Sequence, residues 1–474
     1  MIKPFKLILP LLLLLGQLQY AGAQDATNTR IQKSFVKYYN KKQYQKIHSL
    51  FTDQFKRVMD QEQLDYFMEF VLHYEHGRIK SSRYDRMDHG FRVYLVEFEK
   101  GTAEMHLANE KNLIAGFAVK PVSKGPVINQ HPSFKSSNPM ISVEDSMCDK
   151  AVQAFLKRNN AVGLSIGILC KGKTYVYGYG ETYKGNATVP DEHTIFDLGS
   201  VSKTFTGILL AIAVEQKLVK PDDDIRKFLS GDYPNLEYKG APVTLLSLVN
   251  HTSGLPRVPD DLVQQPGYKE EDPYKYYSRE MILANLHQIK LAAKPGTINE
   301  YSNYGISVCG IILEQLFKKT YAQLVEEYIA APAGMQQTFV NIPDSLRHRM
   351  VGCYDEDNKA IADWSLGEMA AAGGVSSTVA DMLTFLRNNM EEKSSALKLS
   401  HIPTFKMSQQ QQVGYAWVTS ELQNGQHLVW HNGATYGSTA FCGYIPETGT
   451  GVVILNNTGT SVDPLAIDIL KTMR

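Results

Sequence analysis

The chain has 474 residues, enough for two domains and a large buried core. Its 49 lysines and arginines balance 49 aspartates and glutamates, and no basic tail stands out. Nucleic-acid binding normally demands a basic excess, so nucleic acid is excluded from the expected partners.

Residues 1–23 read as a signal peptide. Lys3 and Lys6 give a positive start, Leu7 to Leu15 a short apolar run, and Ala21-Gly22-Ala23 a small-residue cleavage site. That run falls short of the roughly 20 residues a membrane span requires, so no transmembrane anchor is expected. Export to the periplasm or the medium follows as the expectation. Cys148, Cys170, Cys309, Cys353 and Cys442 make an odd count without Cys-x-x-Cys spacing. They read as buried thiols rather than a disulfide framework.

Residues 24–120 form an α+β unit. Helical periodicity covers Ile31 to Phe51 and Leu64 to Tyr74. Alternating strands follow at Phe91 to Phe98, Thr102 to Leu107 and Leu113 to Val119. Helices followed by a curved meander resemble NTF2-like cones, which implies a pocket or a homodimer surface. No catalytic constellation is present, and His73, His76 and His106 read as ordinary surface histidines. Residues 121–139, rich in Pro, Ser, Gly and Asn, read as a linker.

The rest of the chain, 140–474, opens with a helix from Ser142 to Asn159. A hairpin of Ala161 to Cys170 and Thr174 to Tyr179 turns at Lys171-Gly-Lys173. Near the end, strands Thr439 to Ile445 and Gly451 to Asn456 turn at Pro446-Glu-Thr-Gly449, and a helix closes the chain from Pro464 to Met473. Strands at both ends around a helix-rich middle predict one antiparallel sheet built from the two ends and covered by helices.

Two motifs in the first hairpin fail on context. Gly167 to Thr174 spells a P-loop, but a strand follows where phosphate binding needs a helix N-terminus. Gly163-Leu-Ser-Ile-Gly167 spells a nucleophile elbow, yet Ser165 sits mid-strand.

The chemistry concentrates elsewhere. Ser200-Val-Ser-Lys203 places a serine and a lysine on one helical face, one turn apart. Thr204 to Val214 is apolar nearly all round, so the lysine enters a desolvating core that favours its neutral form. Tyr301-Ser-Asn303 precedes a second apolar helix, and His431-Asn-Gly433 leads into a late strand. In this order the three resemble the Ser-x-x-Lys, Tyr-x-Asn and Lys-Thr-Gly boxes of the serine β-lactamase and penicillin-binding-protein family. The class C β-lactamase, DD-peptidase and esterase branch fits best. Leu245 to Pro256 and Ala371 to Met382 resemble further segments of that family.

The resemblance implies an antiparallel sheet flanked by helices plus an all-helical lobe. It also implies acyl transfer through Ser200, with Lys203 and Tyr301 managing the proton. Either could take that proton first. Asn303 is expected to bond the lysine amine and a substrate amide, and the Ser200 and Ala434 backbone amides to hold the oxyanion. Gly433 allows close approach to the strand. The third box departs from the pattern, with His431 for lysine and Asn432 for threonine. Histidine is only partly charged near neutrality, which lowers the expectation of efficient β-lactam hydrolysis; Arg257 is the candidate replacement cation. The expected substrates are small esters or D-amino-acid amides and peptides. The alternatives are a β-lactamase and a non-catalytic ligand sensor. No metal or organic cofactor is implied.

Overall fold

The computed structural model of the chain describes residues 24–73, 76–88, 91–110, 112–121, 134–157, 159–269, 272–422 and 424–473. The signal-peptide reading of 1–23 lies outside them. The described residues fall into two compact units, one ending at residue 121 and the other starting at 134.

In the first unit, α1 (Gln24–Asn40), α2 (Tyr44–His48), α3 (Asp53–Val58) and α4 (Gln61–Tyr66) precede four strands. These are β1 (Ile79–Asp88), β2 (Phe91–Phe98), β3 (Gly101–Glu110) and β4 (Leu113–Pro121), paired antiparallel in that order. Phe35, Tyr39, Phe51, Val96, Leu107 and Phe117 are fully or almost fully buried between helices and sheet. The single helix expected over 31–51 is broken after Asn40, where Lys42 takes a left-handed φ of 53°. β1 went unread because its sequence is polar and its pairing is shifted at Ile79/Ser81 and Tyr84/Arg86, which destroys the two-residue alternation. His106 is corrected too. It is buried on β3, 3.1 Å from the Glu104 carboxylate that Arg86 grips with both terminal nitrogens.

The second unit is built on an eight-stranded antiparallel sheet. Its strands are β5 (Gly163–Cys170), β6 (Lys173–Gly180), β9 (Phe405–Lys406), β10 (Gln411–Val413), β11 (Val418–Glu421), β12 (His427–Ala434), β13 (Thr439–Ile445) and β14 (Thr450–Asn456). The short strands β7 (Ile195–Asp197) and β8 (Ser376–Thr378) pair with each other outside it. The spatial order is β9-β10-β11-β12-β13-β14-β5-β6, so the two ends of the domain meet where β14 pairs with β5. One face is covered by α5 (Val143–Leu156) and the C-terminal helix Asp463–Thr472, through Val152, Phe155, Leu465 and Ile469. The other face packs on the helix Val379–Met390 and on the helical middle of the chain.

Both decoy motifs are explained by this sheet. Lys171 and Gly172 have φ of 51° and 74°, the two left-handed positions of a tight hairpin turn. Gly167 is small because a Cβ there would lie 2.6–2.8 Å from Leu383 and Val379. Ser165 is buried mid-strand, its hydroxyl donating to the Asp191 carbonyl at 3.3 Å. Of the residues read as linker, 122–133 lie outside the described set. Residues 134–139 are held to the sheet: Ser136 bridges to Tyr179, and Asn138 Nδ2 donates to Tyr179 Oη at 2.8 Å. All five cysteines are buried free thiols.

Candidate active site

β7 leads into a tight 3-10 turn, Gly199–Val201, which runs on as the helix α6 (Ser202–Glu215). Gly199 has φ of 50°, and a Cβ on it would fall 2.6 Å from the Ala434 nitrogen. Gly433 faces the same turn from the strand side. A Cβ there would fall 2.0 Å from the Leu198 carbonyl oxygen and 2.8 Å from the Ser200 nitrogen. The two glycines let the Ser200 turn and the end of β12 meet backbone to backbone. The Ser200 and Ala434 amides therefore border one small space.

The helix carries Lys203 into the core, with no exposed surface. Its Nζ lies 2.9 Å from Ser200 Oγ and donates to the Ala372 carbonyl at 2.6 Å. No carboxylate pairs with it among the described residues. Burial, reinforced by the Arg257 guanidinium, holds its pKa well below the ordinary lysine range. A neutral amine can accept, so the 2.9 Å contact then runs from the Ser200 hydroxyl to Nζ. The desolvation expected from the apolar helix is present.

Tyr301 Oη donates to Ser200 Oγ at 2.6 Å from the other side. Its ring lies 4.8 Å from Lys203 Nζ and 5.1 Å from the Arg257 guanidinium. The Arg257 guanidinium favours its ionisation. Burial outweighs both the Ser200 bond and Arg257, and the phenol is pushed up to about 12. Tyr301 therefore keeps its proton at neutral pH.

The remaining candidates divide. Asn303 opens the helix Asn303–Phe317, its N–H donating to the Arg257 carbonyl at 2.9 Å. Among the described residues its side chain makes no hydrogen bond to Lys203, and Tyr274 stands beside it. Asn303 Oδ1 is buried without a partner. His431 is buried, and its Nδ1–H donates to the Asn432 carbonyl at 2.5 Å. Burial pushes its pKa down to about 4, so it is neutral rather than partly charged. Asn432 does not join the cluster, because its Nδ2 donates to Asp463 Oδ2 at 2.6 Å on the C-terminal helix. Arg257 is exposed and, among the described residues, pairs with no carboxylate.

Sequence reasoning missed three groups here. His251 packs against Tyr301, its ring tilted by 36° at 4.5 Å, and accepts the Ser302 N–H on Nδ1, which leaves a buried Nε2–H without a partner. It lies in the segment read for its fold alone, and its place beside the tyrosine is set by a left-handed φ of 62°. The Ala372 carbonyl has no side-chain signature to read. Tyr274 arrives from a loop distant in sequence.

A serine, a buried lysine amine of depressed pKa and a protonated phenol thus converge where an antiparallel sheet meets a helical lobe, an arrangement suited to covalent acyl transfer by a serine hydrolase. The Beta-lactamase family model matches residues 148–471. The chain belongs to the β-lactamase family and is a serine hydrolase of that family. It is 26% identical over 344 residues to the D-alanyl-D-alanine-carboxypeptidase/endopeptidase AmpH of Escherichia coli (strain K12), covering 68% of this chain and 87% of that one. It is 24% identical over 348 residues to a β-lactamase of Pseudomonas fluorescens, covering 65% and 92%. Among solved structures, a β-lactamase/D-alanine carboxypeptidase from Pseudomonas syringae shares the fold at a TM-score of 0.61 and 22% identity, covering 70% of this chain and 100% of that one.

Proposed function

We propose that the protein is an exported hydrolase acting through an acyl–Ser200 intermediate on small esters or D-amino-acid amides and peptides. The observation that carries this reading is Ser200 Oγ held between Lys203 Nζ at 2.9 Å and Tyr301 Oη at 2.6 Å. Neutral Lys203 takes the hydroxyl proton as Oγ bonds to the substrate carbonyl carbon. The carbonyl electrons move onto oxygen between the Ser200 and Ala434 amides. Tyr301 gives its proton to the leaving oxygen or nitrogen and recovers one from the Lys203 ammonium. Water then repeats the sequence on the acyl-enzyme, and Ser200 is regenerated.

The D-amino-acid side of the reading draws on the name of the Escherichia coli relative. The sequence of residues 1–23 supports export, and an NTF2-like N-terminal unit remains part of the proposal. A second reading, β-lactam hydrolysis, is favoured by the unpaired Arg257 guanidinium beside Tyr301, a seat for the β-lactam carboxylate.

Turnover of p-nitrophenyl acetate, a D-alanyl-D-alanine peptide and benzylpenicillin tests the choice. Ester or peptide cleavage that Ser200→Ala abolishes, with benzylpenicillin cleaved far more slowly, supports the first reading. Benzylpenicillin as the best of the three substrates overturns it in favour of the second.

A further inference from the structure

The wall beside the candidate nucleophile is aromatic and continuous. Tyr274, beside Asn303, meets Trp364 edge-on at 5.6 Å and 82°. Trp364 in turn stacks on Tyr436 at 6.4 Å and 9°. Tyr436 stands two residues beyond Ala434, so the rings run from the helical lobe to the strand end that carries the second oxyanion amide. Tyr274 is buried and Trp364 half-buried, whereas Tyr436 keeps 50% of its surface exposed.

Two further observations make this wall more than packing. Trp364 Nε1 is buried without a partner, and an unmatched buried donor is costly unless something meets it. Gly373 lies where a Cβ would be 3.0 Å from Leu366 Cδ2 and 3.7 Å from the Gly199 carbonyl carbon. Leu366, two residues beyond Trp364, packs against Gly373 beside the Ser200 turn and so ties the Trp364 segment to the site.

We propose that this wall is an acyl-group subsite for a planar aromatic substituent, which lies against Tyr436 and Trp364, making the substrates aryl-bearing esters or amides. The proposal rests on the reading of Ser200 as nucleophile. The physical case is that a flat ring removes the exposed Tyr436 face from water and gains offset or edge contacts with two rings already fixed by their neighbours. An acetyl-sized group reaches the serine and leaves that wall wet.

Boronic acids form a reversible bond to an active-site serine, so phenylboronic and methylboronic acid report the wall independently of turnover. Their affinities for the full chain are measured by calorimetry. Tyr436→Ala and Trp364→Leu are each expected to lower the phenyl-to-methyl affinity ratio by about threefold or more, with methylboronic acid bound as in the wild type. Tyr436 is exposed, so its variant keeps the test valid if loss of Trp364 disturbs folding. A ratio unchanged in Tyr436→Ala, or phenyl bound no better than methyl by the wild type, overturns the subsite while leaving the nucleophile standing. If neither acid binds the wild type, or both bind Ser200→Ala equally well, the nucleophile reading fails and the subsite fails with it.

Discussion

Gly433→Ala probes the contact on which the proposed oxyanion site depends. The new Cβ would sit 2.0 Å from the Leu198 carbonyl oxygen and within 2.9 Å of the Ser200 and Val201 nitrogens. These are backbone atoms of a tight turn, so no side chain can swing aside. Ordinary contact returns only if β12 and the nucleophile turn separate by more than about 1 Å, and misplacements of that size cost roughly a hundredfold in rate. Losing one oxyanion donor costs roughly 10²–10³ in kcat, so the expected loss falls in that range. Overpacking also destabilises, typically by about 1–3 kcal/mol, and a matched control separates the two effects. Gly178→Ala on β6, the outer strand of the sheet, brings a Cβ within 1.8 Å of the Pro190 carbonyl oxygen. Thermal unfolding and p-nitrophenyl acetate kinetics are measured on both. Both variants should lose stability, and only Gly433→Ala should lose kcat at temperatures where it is folded. A kcat within fivefold of wild type in folded Gly433→Ala would refute the reasoning.

Lys203→Met should abolish turnover without lowering the melting temperature. The native lysine pKa lies below its unfolded value, so between the two the unfolded chain binds more protons. Stability therefore rises with pH across that window, and Met relieves the cost at its acidic end; a clear fall in melting temperature near pH 7 would count against it. His431→Lys places a permanent ammonium beside Lys203, where the neutral imidazole now lies. The acid limb of the kcat/KM profile should move to lower pH, and an unmoved limb would show that the two sites are not coupled. Arg257→Gln should raise KM for carboxylate-bearing substrates by roughly 10-fold or more and leave neutral esters little changed. Equal effects on both would deny the guanidinium a carboxylate-binding role.

The shared sheet was legible because β5, β6, β13 and β14 are short apolar runs bounded by turn residues. Their pairing follows from the strands lying at opposite ends of one domain. Ser200 and Lys203 were legible because one helical turn fixes their spacing. The tyrosine box could be matched in order, but the acidity of Tyr301 depends on how completely surrounding elements bury it, and that is set by tertiary packing. Asn432 misled for a related reason. Its letter position fits the box, while its side chain is captured by Asp463, 31 residues onward. The aromatic wall was illegible altogether, since Tyr274, Trp364 and Tyr436 come from three separate loops with no common period. β1 shows the limit for strands, because its bulges erase the alternation that would have announced it.

The claim that Ser200 is the acylated nucleophile is tested most directly by intact-mass spectrometry of the protein, acid-quenched within milliseconds of mixing with p-nitrophenyl acetate, followed by peptide mapping. One acetyl increment on the peptide containing Ser200 is expected, appearing before steady state and absent from Ser200→Ala. An increment on another residue, or steady turnover by Ser200→Ala at the wild-type rate, would contradict the account.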